Sequence, residues 1–207
     1  MTVFMLACVY KEKQEENFIQ QCVEYVKGPI HHIELVFISG LTVMRYFITE
    51  NSIVPKYIEA QFSNIETKFN LQWYRCTNIN KHQEYIIHFK CKELAMDKRI
   101  VFDEYTMFKS AFPFNHMIGE EFILNKLFGV KKKMMNDKLM LCTFSYCASL
   151  IVKTLQDALG LLVGVVPNEC TPNDLIILTR DVLGGVAVGS PLAGSTNIVI
   201  TDYNATS

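Results

Sequence analysis

The sequence predicts an α+β fold in which a central antiparallel sheet packs against a helix that carries a cysteine. The 207 residues are 50 % hydrophobic and 20 % charged, which is enough apolar material for one sizeable core. β-Branched and aromatic runs in the first half predict strands, and the turn pair Ser39-Gly40 joins two of them as a hairpin. An apolar run at residues 139–144 then gives way, after Ser145, to helical spacing.

The first half of the chain contains most of the predicted strands. Residues 2–10, 30–37 and 42–49 are apolar or alternating and predict three strands. The spacing of apolar residues at 18–26 predicts an amphipathic helix that ends at Gly28, since Pro29 follows. Residues 53–62 favour neither a strand nor a helix.

The middle of the chain adds one strand and one helix. Residues 69–76 predict the strand, and residues 83–93 predict the helix. We expect four apolar residues to form the buried face of that helix: Tyr85, Ile86, Phe89 and Leu94. The aromatic-rich residues 102–114 predict irregular structure packed on the core.

Two helices and a C-terminal arm are predicted for the last third. The helix that begins near Cys147 should end at Gly160. A short helix should follow, because Thr171 can cap it, Pro172 suits its first position and Asp174 favours the positive end of its dipole. From residue 184 the composition changes to Gly, Ala, Ser and Val. We therefore expect a domain at residues 1–183 and an arm at 184–207 with one strand-like run, 197–203.

Composition excludes several classes of function. The net charge is −1 and the basic residues are scattered, which argues against nucleic-acid binding. The seven cysteines are odd in number and form no CxxC pair, so neither a zinc site nor a disulfide framework is indicated, and no cofactor is expected. We expect a reducing compartment, the cytoplasm. The first residues resemble a strand more than a signal peptide, and no apolar run is long enough for a transmembrane helix.

Cys147 lies where a nucleophilic thiol is best placed. In the first turn of a helix, unpaired backbone N–H groups and the helix dipole stabilise a thiolate and lower its pKa. The alternative is a small apolar residue in a core helix. A base is needed to decide between them, and His31 and His32 open a buried strand whose alternation sends them to opposite faces. Of the other histidines, His116 stays open as a candidate.

Three segments together resemble the circularly permuted branch of the NlpC-type papain-like superfamily. They are residues 32–37 in a strand after Pro29, residues 145–150 at the strand-to-helix junction, and residues 171–175. Papain-like enzymes of ordinary order have the cysteine helix first and the histidine strand second, and that branch reverses the order. Its members occur in bacteria and large DNA viruses. They include amidases, peptidases and relatives that act on lipid acyl groups.

The resemblance implies that Cys147 is the nucleophile and His32 the base of an acyl-transfer reaction through a thioester. Helix-start N–H groups would stabilise the oxyanion, with Tyr146 as a further donor. A third residue should orient the imidazole, and Glu50, Glu34 and Thr49 are all open. Glu34 lies on the same face as His32, but it could instead form a structural ion pair with Arg45 across the hairpin.

Three functions are compatible with this resemblance. The first is a thiol hydrolase that cleaves a peptide-like amide bond. The second is a lipid-acting thiol acyltransferase or phospholipase of the same fold, so the substrate is either peptide-like or an acyl lipid. The third is a structural or interaction protein, for instance a viral one in the host cytoplasm or the virion, that has lost catalysis.

Overall fold

The computed structural model describes residues 1–10, 28–49, 52, 54–102 and 143–191. Its strands are β1 (Thr2–Tyr10), β2 (Ile30–Ser39), β3 (Thr42–Phe47), β4 (Lys56–Glu59), β5 (Phe69–Cys76), β6 (Ile100–Phe102), β7 (Thr143–Ser145) and β8 (Gly185–Val188). Its helices are α1 (Ser63–Lys68), α2 (Lys81–Met96), α3 (Cys147–Leu159) and α4 (Pro172–Leu183), with one 3₁₀ turn at Pro167–Glu169.

Six of the strands form one antiparallel sheet in the order β4-β3-β2-β1-β5-β8. The predicted hairpin is present, since β2 and β3 pair from Leu35 opposite Tyr46 to Ser39 opposite Thr42. Gly40 turns the chain with a φ of 59°, which a glycine adopts without strain. The α+β class and the antiparallel sheet are thus confirmed.

Both faces of the sheet are covered by apolar side chains. On one face, Met5 and Leu35 pack with Leu150, Ile151 and Leu155 of α3 in the larger core. The opposite face carries a smaller core, whose buried members are Phe4, Leu6, Cys8, Val36, Phe62 and Trp73. Burial on both faces explains why β1 and β2 are almost continuously apolar rather than alternating.

The predicted buried face of α2 is correct for Leu94 and wrong for Tyr85 and Phe89. These two side chains are 60 % and 61 % exposed, whereas Leu94 is buried with Ile87 and Cys91 against the sheet and α3. Two apolar stripes run along this helix at helical spacing, and periodicity alone cannot say which one docks. The stripe with the aromatic residues Tyr85 and Phe89 faces solvent, and the stripe with Ile87 and Cys91 packs on the core.

The C-terminal part differs from expectation in two respects. Helix α4 has 12 residues, so it is not short. Thr171 caps it as predicted, and Asp174 in addition completes a capping box. Residues 185–188, the first of the predicted arm, form β8 and pair with β5 in the main sheet. The helix predicted at 18–26, residues 103–114 and the strand predicted at 197–203 lie outside the described residues. No helix in the described part is long and apolar enough to cross a membrane.

Candidate active site

Cys147 is the first residue of α3. Tyr146 precedes it in an extended conformation, and the Tyr146 N–H donates to the Ser149 hydroxyl at 2.8 Å while its carbonyl accepts from Leu150 at 2.9 Å. These bonds define the helix start and hold the thiol in the first turn, as the sequence predicts. The strand β7 leads directly into this turn and pairs in parallel with β6.

His32, the third residue of β2, lies beside this thiol. Among the described residues, β3 pairs with β2 only from Leu35 to Ser39, so the beginning of β2 is open on that side. The His32 imidazole and the backbone N–H groups of Ile33 and Ala148 lie close enough to the Cys147 sulfur to lower the pKa of this thiol. His32 and Cys147, which are 115 positions apart in the sequence, therefore lie close together at the part of β2 that β3 does not pair with.

The other side of the imidazole contacts a carboxylate. The Nε2 of His32 lies 3.0 Å from Oε1 of Glu34, two residues along the same strand. Because a carboxylate can only accept, Nε2 is the donor of this bond. Glu34 is buried and also pairs with Arg45. The two interpretations of Glu34 thus hold together, because the same carboxylate contacts His32 and forms the cross-hairpin ion pair.

The two other candidates for the third position are not part of this group of contacts. Glu50 lies outside the described residues. Thr49 binds Ser52 in a local turn, with its N–H donating to the Ser52 hydroxyl at 2.8 Å and its own hydroxyl accepting from Ser52 N–H at 3.2 Å.

Electrostatics favour an ion pair of thiolate and imidazolium. Burial alone would lower the pKa of His32, but the hydrogen bonds and charges of Cys147 and Glu34 raise it to about 10. Burial disfavours ionisation of Cys147, yet the His32 imidazolium and two backbone N–H groups hold its pKa below the ordinary thiol value. Burial likewise opposes ionisation of Glu34, and His32 and Arg45 overcome it, so its pKa is lowered.

The other described cysteines differ from Cys147 in the direction of their pKa shifts and not in burial. All five are free and buried: Cys8, Cys76, Cys91, Cys147 and Cys170. Burial raises the pKa of Cys76 and of Cys170 to about 12, and raises those of Cys8 and Cys91 well above the ordinary value. Cys22 and Cys142 lie outside the described residues. In the described part of the chain, no three acidic, histidine or cysteine side chains form a cluster that could hold a metal.

The remaining sequence candidates occupy other places. The Tyr146 hydroxyl is buried and donates its proton to the Cys170 carbonyl at 2.8 Å. His88 bonds Tyr57 and packs on Phe37, and His82 is exposed in the first turn of α2. His31 is half-buried next to His32, and His116 lies outside the described residues.

Sequence reasoning missed the Ile33 N–H as a group that lowers the pKa of the Cys147 thiol. The sequence contains no signal for this N–H, because every residue except proline has one. Only the pairing of the strands decides whether it is available to the sulfur. The chain was also compared with known proteins, and no family model, curated protein or solved structure matches it.

Proposed function

We propose that the protein is a cysteine hydrolase that cleaves an amide bond in a peptide-like substrate, with Cys147 as nucleophile, His32 as base and acid, and Glu34 as the residue that orients the imidazole. One observation carries this proposal: the His32 imidazole lies beside a thiol at a helix start, whose pKa it lowers, and 3.0 Å from a buried carboxylate. A nucleophile, a base and an orienting group in that sequence of contacts are what thiol catalysis requires.

The chemistry follows from these contacts. The Cys147 thiolate attacks the substrate carbonyl, and the backbone N–H groups at the start of α3 stabilise the resulting oxyanion. His32 gives its proton to the leaving amine as the carbon–nitrogen bond breaks, which leaves a thioester and a neutral imidazole. The imidazole then takes a proton from water, the hydroxide attacks the thioester, and the acid is released with the ion pair restored.

We also propose a circularly permuted papain-like fold. Its support is the order of the chain, in which the histidine strand precedes the cysteine helix, together with the resemblance of residues 32–37, 145–150 and 171–175 to that branch. A cytoplasmic, reducing compartment suits this chemistry, because the nucleophile acts only as a reduced thiol.

The test is alkylation of the full chain with iodoacetamide between pH 5 and 10, resolved by cysteine with mass spectrometry. We expect Cys147 to be labelled well below the ordinary thiol pKa of about 8.5, while the buried thiols Cys76 and Cys170 stay unlabelled. His32→Gln should lower the labelling rate at pH 6 at least about tenfold, because the thiol loses its cation.

His31→Gln is the matched control, since it changes the neighbouring histidine on the same strand and should leave the Cys147 profile unchanged. If wild-type Cys147 reacts only above the ordinary thiol pKa, or if the two histidine variants behave alike, the proposal is wrong.

The adduct left on Cys147 identifies the substrate class. After incubation with a peptide mixture or with phospholipid vesicles, we expect a peptidyl thioester by intact mass, and none in Cys147→Ala. A fatty-acyl adduct in its place would favour the lipid acyltransferase or phospholipase. Cys147→Ala should lose turnover by several orders of magnitude, since it lacks the atom that forms the covalent bond.

A further inference from the structure

Arg45 is a second cation, beside the His32 imidazolium, in contact with the Glu34 carboxylate of the candidate site. Its Nε donates to Glu34 Oε2 at 2.7 Å, and its Nη2 donates to Glu34 Oε1, the oxygen that also accepts from His32. Both carboxylate oxygens are therefore held by one guanidinium, in the bidentate geometry that arginine makes and lysine does not.

Other contacts fix the guanidinium itself. Its Nη1 donates to the Gln61 carbonyl at 3.0 Å. Its central carbon lies 4.7 Å from the ring centre of Phe47 and 5.2 Å from that of Phe62. The side chain is only 7 % exposed, so this ion pair differs from the mobile pairs of a protein surface.

The charges of the site alternate along this line of contacts. The groups that face one another are the Cys147 thiolate from α3, the His32 imidazolium and the Glu34 carboxylate from β2, and the Arg45 guanidinium from β3. Together they carry no net charge. Cys8 from β1 and Cys170 before α4 also act on these groups, but raised pKa values keep both thiols neutral. Beyond Cys170 lies the carboxylate of Asp174, which the Thr171 hydroxyl and N–H bind.

Removal of the guanidinium would leave a buried group with a net charge of −1. Burial disfavours such a charge, and uptake of one proton relieves it. Glu34 and His32 would remain a neutral ion pair, so the thiolate is the group expected to take up the proton. The field of Arg45 reaches one thiol of this region, since it lowers the pKa of Cys8 against the effect of burial.

We propose that Arg45 is a positioning residue of the reaction, which holds Glu34 against His32 and supplies the positive charge that lets Cys147 stay ionised. This inference rests on the proposed function, because it concerns the activation of the same thiol. Arg45 touches neither the sulfur nor the imidazole through a hydrogen bond of the described structure, and so it acts through Glu34.

The experiment is the pH dependence of iodoacetamide labelling at Cys147 in three variants of the full chain. In Arg45→Met the acid inflection should move up by about one pH unit, since one charge near the thiol is lost. Arg45→Lys keeps the charge, and its inflection should stay close to that of the wild type. Arg99→Met is the matched control, because Arg99 makes the same two-nitrogen contact with Asp97 in an exposed pair, and its profile should not change.

A merely structural role would lower the melting temperature of Arg45→Met and leave the inflection where it is in the wild type, and that result would overturn the inference. Should Arg45→Met not fold, Arg45→Gln replaces it, since a neutral amide can still donate to Glu34, and the same two outcomes decide. A wild-type profile with no reactivity below the ordinary thiol pKa would overturn the proposed function as well. An activated wild type with an unshifted Arg45→Met overturns only the role of Arg45.

Discussion

Glu34 is the residue whose position explains most about the candidate site. A carboxylate inside an apolar strand needs a partner, and this one has two, His32 at 3.0 Å and the bidentate Arg45. The sequence shows that Glu34 needs a partner but not which one, because His32 and Arg45 can both reach it. The register of the β2–β3 pairing places Glu34 in contact with both.

Neutral variants of Glu34 and Glu50 distinguish the two carboxylates proposed as the third member. Glu34→Gln removes the anion beside the imidazole, so the pKa of His32 should fall by at least about one unit from its raised value. Glu50→Gln should leave it unchanged. The measurement is an NMR titration of the His32 ring in both variants and the wild type. A fall in Glu50→Gln with none in Glu34→Gln would give the role to Glu50.

Helix ends were the elements most reliably predicted from sequence. Cys147 begins α3, Gly160 ends it with a φ of 64°, and Thr171 caps α4 with Asp174 in return. These features depend on residues three or four positions apart, so the chain carries them locally. The buried face of α2 depends on what packs against it, which is why Tyr85 and Phe89 were misplaced.

Two helix-ending glycines provide a matched pair for stability. Gly160 and Gly184 both have positive φ, at 64° and 61°. A Cβ on Gly160 would meet nothing within 4 Å, whereas one on Gly184 would lie 2.5 Å from Asn78 Oδ1 and 2.6 Å from Thr77 Oγ1. Thr77 also donates to the Gly184 carbonyl at 2.7 Å, so the neighbour cannot move away without loss.

We therefore expect Gly160→Ala to lower the free energy of unfolding by about 1 kcal/mol, from backbone strain alone. Gly184→Ala should lower it by at least about 2 kcal/mol, since steric overlap adds to the same strain. Urea denaturation of both variants measures the difference. Equal losses of unfolding free energy in the two variants would mean that Asn78 and Thr77 move away from the new Cβ at no energetic cost.

At the scale of the whole molecule, the ion pair couples stability to pH. Stability rises with pH wherever the unfolded chain binds more protons than the folded chain. His32 has a raised pKa, so its contribution is complete below an unfolded value of about 6.5 and is lost as the pH rises toward about 10. Cys147 has a lowered pKa, so its contribution is complete above an unfolded value of about 8.5 and is lost as the pH falls through the folded value.

Between these two unfolded values, about pH 6.5 to 8.5, the pH dependences of the two contributions have opposite signs, and they cancel wherever Cys147 is ionised in the folded chain. There the folded chain holds one proton on His32, and the unfolded chain holds one on Cys147. In Cys147→Ala only the His32 contribution remains, because Glu34 still raises the pKa of the imidazole. The stability of this variant relative to the wild type should then fall by up to about 1.4 kcal/mol per pH unit across that range.

Urea denaturation at pH 6, 7, 8 and 9 measures this difference, and titrations elsewhere in the chain cancel between the two proteins. Parallel stability curves for Cys147→Ala and the wild type would mean that the native state holds a neutral thiol beside a neutral imidazole.

The sequence by itself determined the strands β1, β2, β3 and β5, the hairpin at Gly40, the ends of α3 and α4, and the place of Cys147 in a first helical turn. Each depends on neighbours a few residues away, through backbone preference, capping or alternation. Tertiary structure alone decided that His32 meets the sulfur, that Glu34 binds both His32 and Arg45, and which stripe of α2 is buried. Those contacts join distant parts of the chain, and they depend on strand register and on how helices dock, which no local pattern encodes.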